Sequence, residues 1–291
     1  MFSLKSEIGI IGAGRVSYSL VNALIKSGFK VSSVISHSTS AKKLALKFKI
    51  KNYSSDLNII SPNIKIFFLA VPDRQIPSVA QQISKLRLDF KNSLFIHLSG
   101  AEDISVLNTL KKEGAYTGSL HIMQTFPERQ VINLKNCYAA VETNSKKVRD
   151  SLFALAKKIN LHPFRISSEK KVLYHIAGVY SSNFLVANQY YTEKLFNETR
   201  SGIYYRKVFT PITEMAMKNI KHSGVLKAVS GPVARGDIKT VKKHLKTIRN
   251  DKVLRLNYIS QSLGLLELIK KRDKKLSTVY EELRKYLLKL L

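Results

Sequence analysis

The sequence predicts an α/β domain with a mostly parallel, doubly wound sheet, followed by an all-α domain. Three observations carry this prediction. From Glu7 to about Arg165, short apolar runs alternate with amphipathic segments, the pattern of parallel strands covered by helices. A glycine-rich turn, Gly12-Ala13-Gly14, separates the first apolar run from the first amphipathic segment. Beyond Arg165 the strand pattern fades and helical periodicity takes over.

Strands are expected over 7–11, 30–35, 65–70, 93–98, 116–121 and 137–141, with a further one over 161–166. Between the first two, 16–27 reads as a helix stopped by Gly28, which completes a βαβ unit. Helices are expected over 169–200, 204–221, 237–248 and from Val253 to the C-terminus. The Gly- and Pro-containing stretch 223–236 reads as the conspicuous loop of the second domain. The domain boundary is placed between 166 and 167: a dinucleotide-type domain over 1–166 and a helical domain over 167–291.

The chain of 291 residues is long enough for two cores. Lys and Arg exceed Asp and Glu by 49 to 20, a formal charge of +29. That charge would attract polyanions, but the lysines are spread along the chain as pairs such as Lys42-Lys43 and Lys242-Lys243. Dispersion argues for solubility and attraction of anionic ligands rather than specific nucleic-acid recognition. The single cysteine, Cys137, excludes an internal disulfide and a multi-cysteine metal site, and it reads as a small hydrophobe in a buried strand. No metal is expected. No run approaches the roughly 20 apolar residues of a membrane span, so a cytoplasmic protein without membrane contact is expected.

The motif Gly12-Ala13-Gly14-Arg15-Val16-Ser17 has the form Gly-x-Gly-x-x-Ser between strand and helix. Gly12 permits a tight turn, and Gly14 lets the backbone approach a pyrophosphate facing the following helix N-terminus. This is the Rossmann arrangement, with Ser17 in the place of a third small residue. An acid after the second strand would bind the ribose 2′-hydroxyl of NAD. The chain instead reads Ser36-His37-Ser38-Thr39-Ser40-Ala41-Lys42-Lys43, hydroxyls and cations suited to the 2′-phosphate of NADP, to which Arg15 could add a second cation.

Val71-Pro72-Asp73 follows a strand at the ligand edge of such sheets. Asp73 reads either as a helix cap or as a contact to the ribose region. Ser99-Gly100 and His121 close two further strands. Ser99 could bind a carboxylate or carbonyl, and His121 could donate a proton. On the helix that follows, His175, Gly178 and Ser182 share a face, and about 12 Å along the axis separates His175 from Asn183. His175 reads as a proton donor or as a satisfied core histidine. In the 223–236 loop Arg235 suits bidentate binding of a carboxylate, and Asp237 reads as the cap of the next helix.

With these residues in place, the chain resembles a family of oxidoreductases that pair a Rossmann-like domain with a helical domain of unknown function. The marks are Gly12-Ala13-Gly14, Val71-Pro72-Asp73, His97-Leu98-Ser99-Gly100-Ala101, His121 with Gln124-Thr125-Phe126, Tyr174-His175 with Ser182-Asn183, and Gly231 to Asp237. Such proteins are similar to 6-phosphogluconate and β-hydroxyacid dehydrogenases. The resemblance implies a 6-phosphogluconate dehydrogenase-like helical domain that builds a homodimer, and reduction by NADPH of a small 2-oxo acid; one branch resembles an alternative ketopantoate reductase of pantothenate synthesis. Arg235 and Ser99 would then orient the substrate carboxylate, Ser182 would also contact the substrate, Asn183 would polarise the carbonyl, and His175 or His121 would supply the proton. Two departures stand out. Val179 occupies the place where the resemblance expects a catalytic lysine, and Ile122 that of an expected proline. A non-catalytic NADP-binding sensor is the alternative that Val179 leaves open.

Overall fold

The computed structural model describes residues 6–37, 39–273 and 277–291. The chain divides into two compact units, Met1–Phe184 and Leu185–Leu291.

In the first unit the order is β1 (Glu7–Ile11), α1 (Arg15–Lys26), β2 (Val31–Ile35), α2 (Ser40–Lys47), β3 (Asn52–Ser54), β4 (Ile64–Leu69), α3 (Ile76–Ser84), β5 (Leu94–His97), α4 (Asn108–Lys112), β6 (Tyr116–Ile122), β7 (Tyr138–Glu142), α5 (Lys146–Lys158), β8 (His162–Arg165) and α6 (Ser168–Ser181). The strands form one sheet in the order β3-β2-β1-β4-β5-β6-β7-β8. All pairings are parallel except β6 with β7, so the doubly wound sheet expected from the sequence is present. The first six strands follow the dinucleotide-fold order, which reverses direction between β1 and β4.

Alternation along the strands builds the two layers. Ile8, Ile10, Val34, Phe68 and Ile96 point to one face, under Leu20 and Leu24 of α1, Leu44 of α2 and Leu152 of α5. Ile11, Phe67, Leu69 and Phe95 point to the other, under Ile76 and Ile83 of α3 and Leu110 of α4. Helix α1 stops where Gly28 takes φ 81° and its N–H donates to Ile25 O at 3.0 Å, a left-handed termination natural to glycine.

The second unit contains α7 (Asn183–Asn197) from Leu185 onward, α8 (Tyr205–Ala228), α9 (Ile238–Thr247), α10 (Lys252–Asp273) and α11 (Thr278–Leu288). Its core is Val241, Leu245, Ile259, Leu266, Ile269, Leu283 and Leu287. Among the described residues no helix is long and apolar enough to cross a membrane.

Several sequence expectations need correction. The helix expected over 169–200 breaks at Ser182, with φ −130° and ψ −64°. Ser181 and Ser182 donate their hydroxyls back to the Ala177 and Gly178 carbonyls at 2.9 and 2.8 Å, and such back-bonding bends helices. Helix α8 runs into the expected loop and is interrupted at Gly224, φ 73°. The C-terminal helix is two helices, α10 and α11. Strand β3 had no apolar run to announce it, being the short, polar edge Asn52-Tyr53-Ser54. Cys137 precedes β7 and is half-buried rather than a core strand residue.

Two glycines of left-handed φ separate backbone strain from crowding. A Cβ on Gly28 meets nothing within 4 Å, whereas on Gly12 it would lie 2.4 Å from the Ala70 carbonyl oxygen. Gly28→Ala should therefore lower unfolding stability by about 1 kcal/mol, from the backbone conformation alone. Gly12→Ala should lower it by about 3 kcal/mol or more, because the end of β4 must also move. Denaturant midpoints of the two variants check the order, and equal losses would contradict the crowding at Gly12.

Candidate active site

Past Ile11 the chain turns at Gly12, φ 101°. The Gly12 N–H donates to Ile35 O of β2, and the Ala70 N–H donates to Ile11 O, each at 2.7 Å. The turn is thus tied to both strands that flank β1. Buried Ser17 donates its hydroxyl to the Gly12 carbonyl at 2.9 Å, so the residue replacing the third glycine braces the turn. Helix α1 begins at Arg15 with Gly14 at its N-cap, no side-chain cap and no acid in its first turn. Its first N–H groups and the positive end of its dipole are free for an anion.

A cavity of about 350 Å³ opens at this turn. Of the predicted cofactor residues, Gly12, Ala13, Gly14, Ser36, His37, Val71 and Pro72 line it. Arg15 and Val16 form the first turn of α1 outside the lining, with Arg15 exposed. Ser38 lies outside the described residues. Ser40, of the hydroxyl-rich segment 36–43, also lines the cavity, as do Gln75 and Arg129, which no motif marked. Arg129 comes from the loop between β6 and β7, which is seated on α1 where the buried Ser19 hydroxyl accepts the Ile132 N–H at 2.9 Å.

Asp73 caps no helix. It begins a short turn of 3-10 helix, with Pro72 in the capping position, and its carboxylate accepts the Ser99 hydroxyl at 2.7 Å. Ser99 Oγ in turn accepts the backbone N–H groups of Ala101 and Glu102 at 3.2 and 3.0 Å. The Ser99 hydroxyl is therefore engaged in ordering its own loop and tying it to the Val71-Pro72 side of the cavity.

The next residue, Gly100, joins that loop to a cluster of rings. A Cβ there would lie 2.7 Å from His121 Nε2 and 2.8 Å from His175 Cδ2. His121 Nδ1 is 3.1 Å from the Tyr174 hydroxyl, and the His121 ring meets those of Tyr174 and His175 edge to face at 5.4 and 6.1 Å. Burial, then the neighbouring His175 and Lys171, push His121 down to about 4, so it is uncharged near neutrality. Burial raises the Tyr174 phenol to about 12, which keeps its proton available as a hydrogen-bond donor. The two predicted histidines thus share one site, to which the sequence had not assigned Tyr174.

Behind this cluster, His97 at the end of β5 is wholly buried, and neither ring nitrogen has a hydrogen-bond partner of good geometry. Its burial, followed by the charge of Lys171, lowers it to about 3.

Asn183 opens α7, where its carboxamide lies 2.9 Å from the Ser182 hydroxyl. No hydrogen bond joins it to His121 or His175 among the described residues. Arg235 belongs to the second unit, exposed on the turn before α9. Asp237 caps that helix, accepting the Thr240 N–H at 3.0 Å as the sequence suggested.

A dinucleotide-type sheet with its glycine turn, cavity and adjoining histidine cluster defines a Rossmann-type protein. Comparison with known proteins agrees: residues 3–122 match the Rossmann-like domain, and residues 137–263 match the domain of unknown function DUF2520. This is the pairing of a Rossmann-like with a helical domain of unknown function that the motifs suggested. No curated protein matches the chain. Among solved structures, a candidate NADP oxidoreductase from Bacteroides fragilis is similar at TM-score 0.77 and 24% identity, over 90% of this chain and 98% of that one. A Thermotoga maritima protein is similar at 0.70 and 23%, over 91% and 99%. A reductive aminase from Aspergillus terreus, solved with NADPH and ethyl-5-oxohexanoate, is similar at 0.63 and 11%, over 98% and 93%. At these identities the likeness establishes the fold.

Buried His97 and half-buried His121 make stability depend on acid. In the unfolded chain they take up protons below about pH 6.5, whereas in the folded protein they stay neutral down to about 3 and about 4. Between these limits the unfolded chain binds more protons, so stability falls as pH falls from 6.5. In His97→Leu the loss between pH 6.5 and 4 should shrink by roughly 3 kcal/mol, measured by urea unfolding across that range. An unchanged acid slope would contradict a neutral, buried His97.

Proposed function

We propose that this protein is an NADP-dependent oxidoreductase that reduces the carbonyl of a small 2-oxo acid. The observation that carries the reading is the cavity at Gly12, Ala13 and Gly14, with no room for a Cβ at its floor and an uncapped helix N-terminus on its wall. Those features fit a pyrophosphate. Ser36, His37 and Ser40 line the same cavity, with no acid among the described residues of its lining, which supports the 2′-phosphate form. Arg129 adds a cation at the wall. The similar folds of a candidate NADP oxidoreductase and an NADPH-bound reductive aminase are consistent with this choice.

Bound there, NADPH would supply a hydride. The chain's own part is to hold the substrate beside the cavity and move one proton. Pro72 lines the cavity, the adjacent Asp73 holds Ser99, and the next residue, Gly100, packs on His121 and His175. This continuity supports His121, Tyr174 and His175 as the proton-handling group. The resemblance described above makes 2-dehydropantoate the first substrate to assay. A second copy of the chain is the proposed partner: Leu185, Val186, Tyr190, Ile212, Met215 and Met217 are exposed on α7 and α8, an apolar display uncommon on monomers.

The test is cofactor binding followed by turnover. NADPH should bind at least about tenfold more tightly than NADH, and Ser36→Asp should reverse the preference by placing a carboxylate against the 2′-phosphate. Equal affinity of the native chain for both would defeat the NADP assignment. Oxidation of NADPH should follow addition of 2-dehydropantoate or another 2-oxo acid, and His121→Asn or His175→Asn should lower kcat by about a hundredfold or more. Tight binding with no oxidation on any carbonyl would favour a non-catalytic sensor, the reading that Val179 supports.

A further inference from the structure

Ser119 and His121 are two residues apart on β6 and so share a face of the sheet. In register with Ser119 stand His97 on β5 and Glu142 on β7. Three adjacent strands therefore present a row of polar side chains beneath α6. Into this row α6 inserts Lys171, whose side chain is fully buried beside a carboxylate only 3% exposed. Its ammonium donates to Glu142 Oε2 at 2.8 Å and to Ser119 Oγ at 2.7 Å. The other Glu142 oxygen accepts the Ser168 hydroxyl at 2.6 Å and the Ile104 N–H at 3.1 Å.

Tyr174 and His175 lie three and four residues after Lys171 and occupy the same face of the helix, one turn on. A turn of α6 by one residue position, about 100°, would take the ammonium off Glu142 and leave both charges buried and unpaired. Fixing register is the best attested use of such a pair, because its net stability is small.

We propose that Lys171 and Glu142 are positioning residues for the histidine site: their buried pair sets the one rotation of α6 that lays Tyr174 and His175 against His121 and Gly100. The kinetic consequence rests on the reductase reading, whereas the placement of the rings does not. Among the described residues, the titratable groups acting on His121 or on its neighbours in this row are His175, Tyr174 and Lys171 from α6, His97 from β5, Glu142 from β7 and Asp73, which both act on Lys171, and Asp103, which acts on His97 and Lys171. Burial is the largest influence on His121, and Lys171 adds to it. Releasing α6 both hydrates the ring and removes a positive charge, and each change raises its titration.

Lys171→Met alone would leave Glu142 without its counter-charge in the core and is expected to be strongly destabilised. The decisive variant is Lys171→Met with Glu142→Gln, which removes both charges at similar volume and should remain folded. In histidine-detected NMR its His121 titration should move up by about one pH unit or more from the value near 4. NADPH affinity, set at the glycine turn, should stay within about twofold, while kcat should fall about tenfold or more through misplacement of the rings. A folded double variant whose His121 titrates as in the native protein would overturn the positioning role. If the native protein reduces no substrate, the reductase reading fails, and the titration still decides the placement.

Discussion

Much of the first unit depends on the approach of one backbone to another: Gly12 against the carbonyl of Ala70. Strand β1 is the central strand from which the sheet is built outward, with β2 on one side and β4 on the other. Its end must leave the sheet at once if a cavity is to open between the two directions of winding. That is achieved by a left-handed φ and by a distance that admits no Cβ. The same compression brings the α1 N-terminus close to the turn, with Ser17 bracing it from below. The cavity and the placing of the α1 N-terminus at its edge thus both rest on this contact.

The ring cluster is held in a different way. Nothing in the backbone of α6 dictates which side faces the sheet, since Val172, Leu173 and Ile176 are exposed beside buried Lys171. An apolar stripe alone would leave that orientation weakly specified. A buried charge is different, because only one rotation of the helix satisfies it. The helix is laid down by a polar contact, and the edge-to-face rings of His121, Tyr174 and His175 take their places as a result.

What was legible in the sequence follows from this contrast. The parallel strands were readable because burial on both faces makes them apolar runs, as in Ile66-Phe67-Phe68-Leu69. The glycine turn was readable because its constraint lies within six consecutive residues. Strand β3 was not, since an exposed edge of three residues has no core to declare it. The break at Ser182 was missed because serines read as tolerable helix residues until their hydroxyls are seen bonded to the preceding turn. Contacts of long sequence separation were also hidden. Tyr174 meets His121 across 53 positions and Lys171 meets Glu142 across 29, and no local pattern encodes such pairs.

The two devices also differ in how they tolerate change. Binding at the glycine turn uses backbone groups, so side chains nearby can vary while the anion site persists, provided Gly12 and a small residue at Ser17 remain. The cluster uses side chains on one helix, and its chemistry can vary by substitution there without disturbing the turn. Val179, half-buried on that helix, stands where a lysine would be expected if the reaction followed the β-hydroxyacid dehydrogenase pattern. The chain instead has its buried lysine two turns earlier, at Lys171, where it is committed to Glu142 and Ser119. A lysine so committed is engaged within the core, and the proposed proton handling accordingly rests on His121 and its two aromatic neighbours rather than on a lysine.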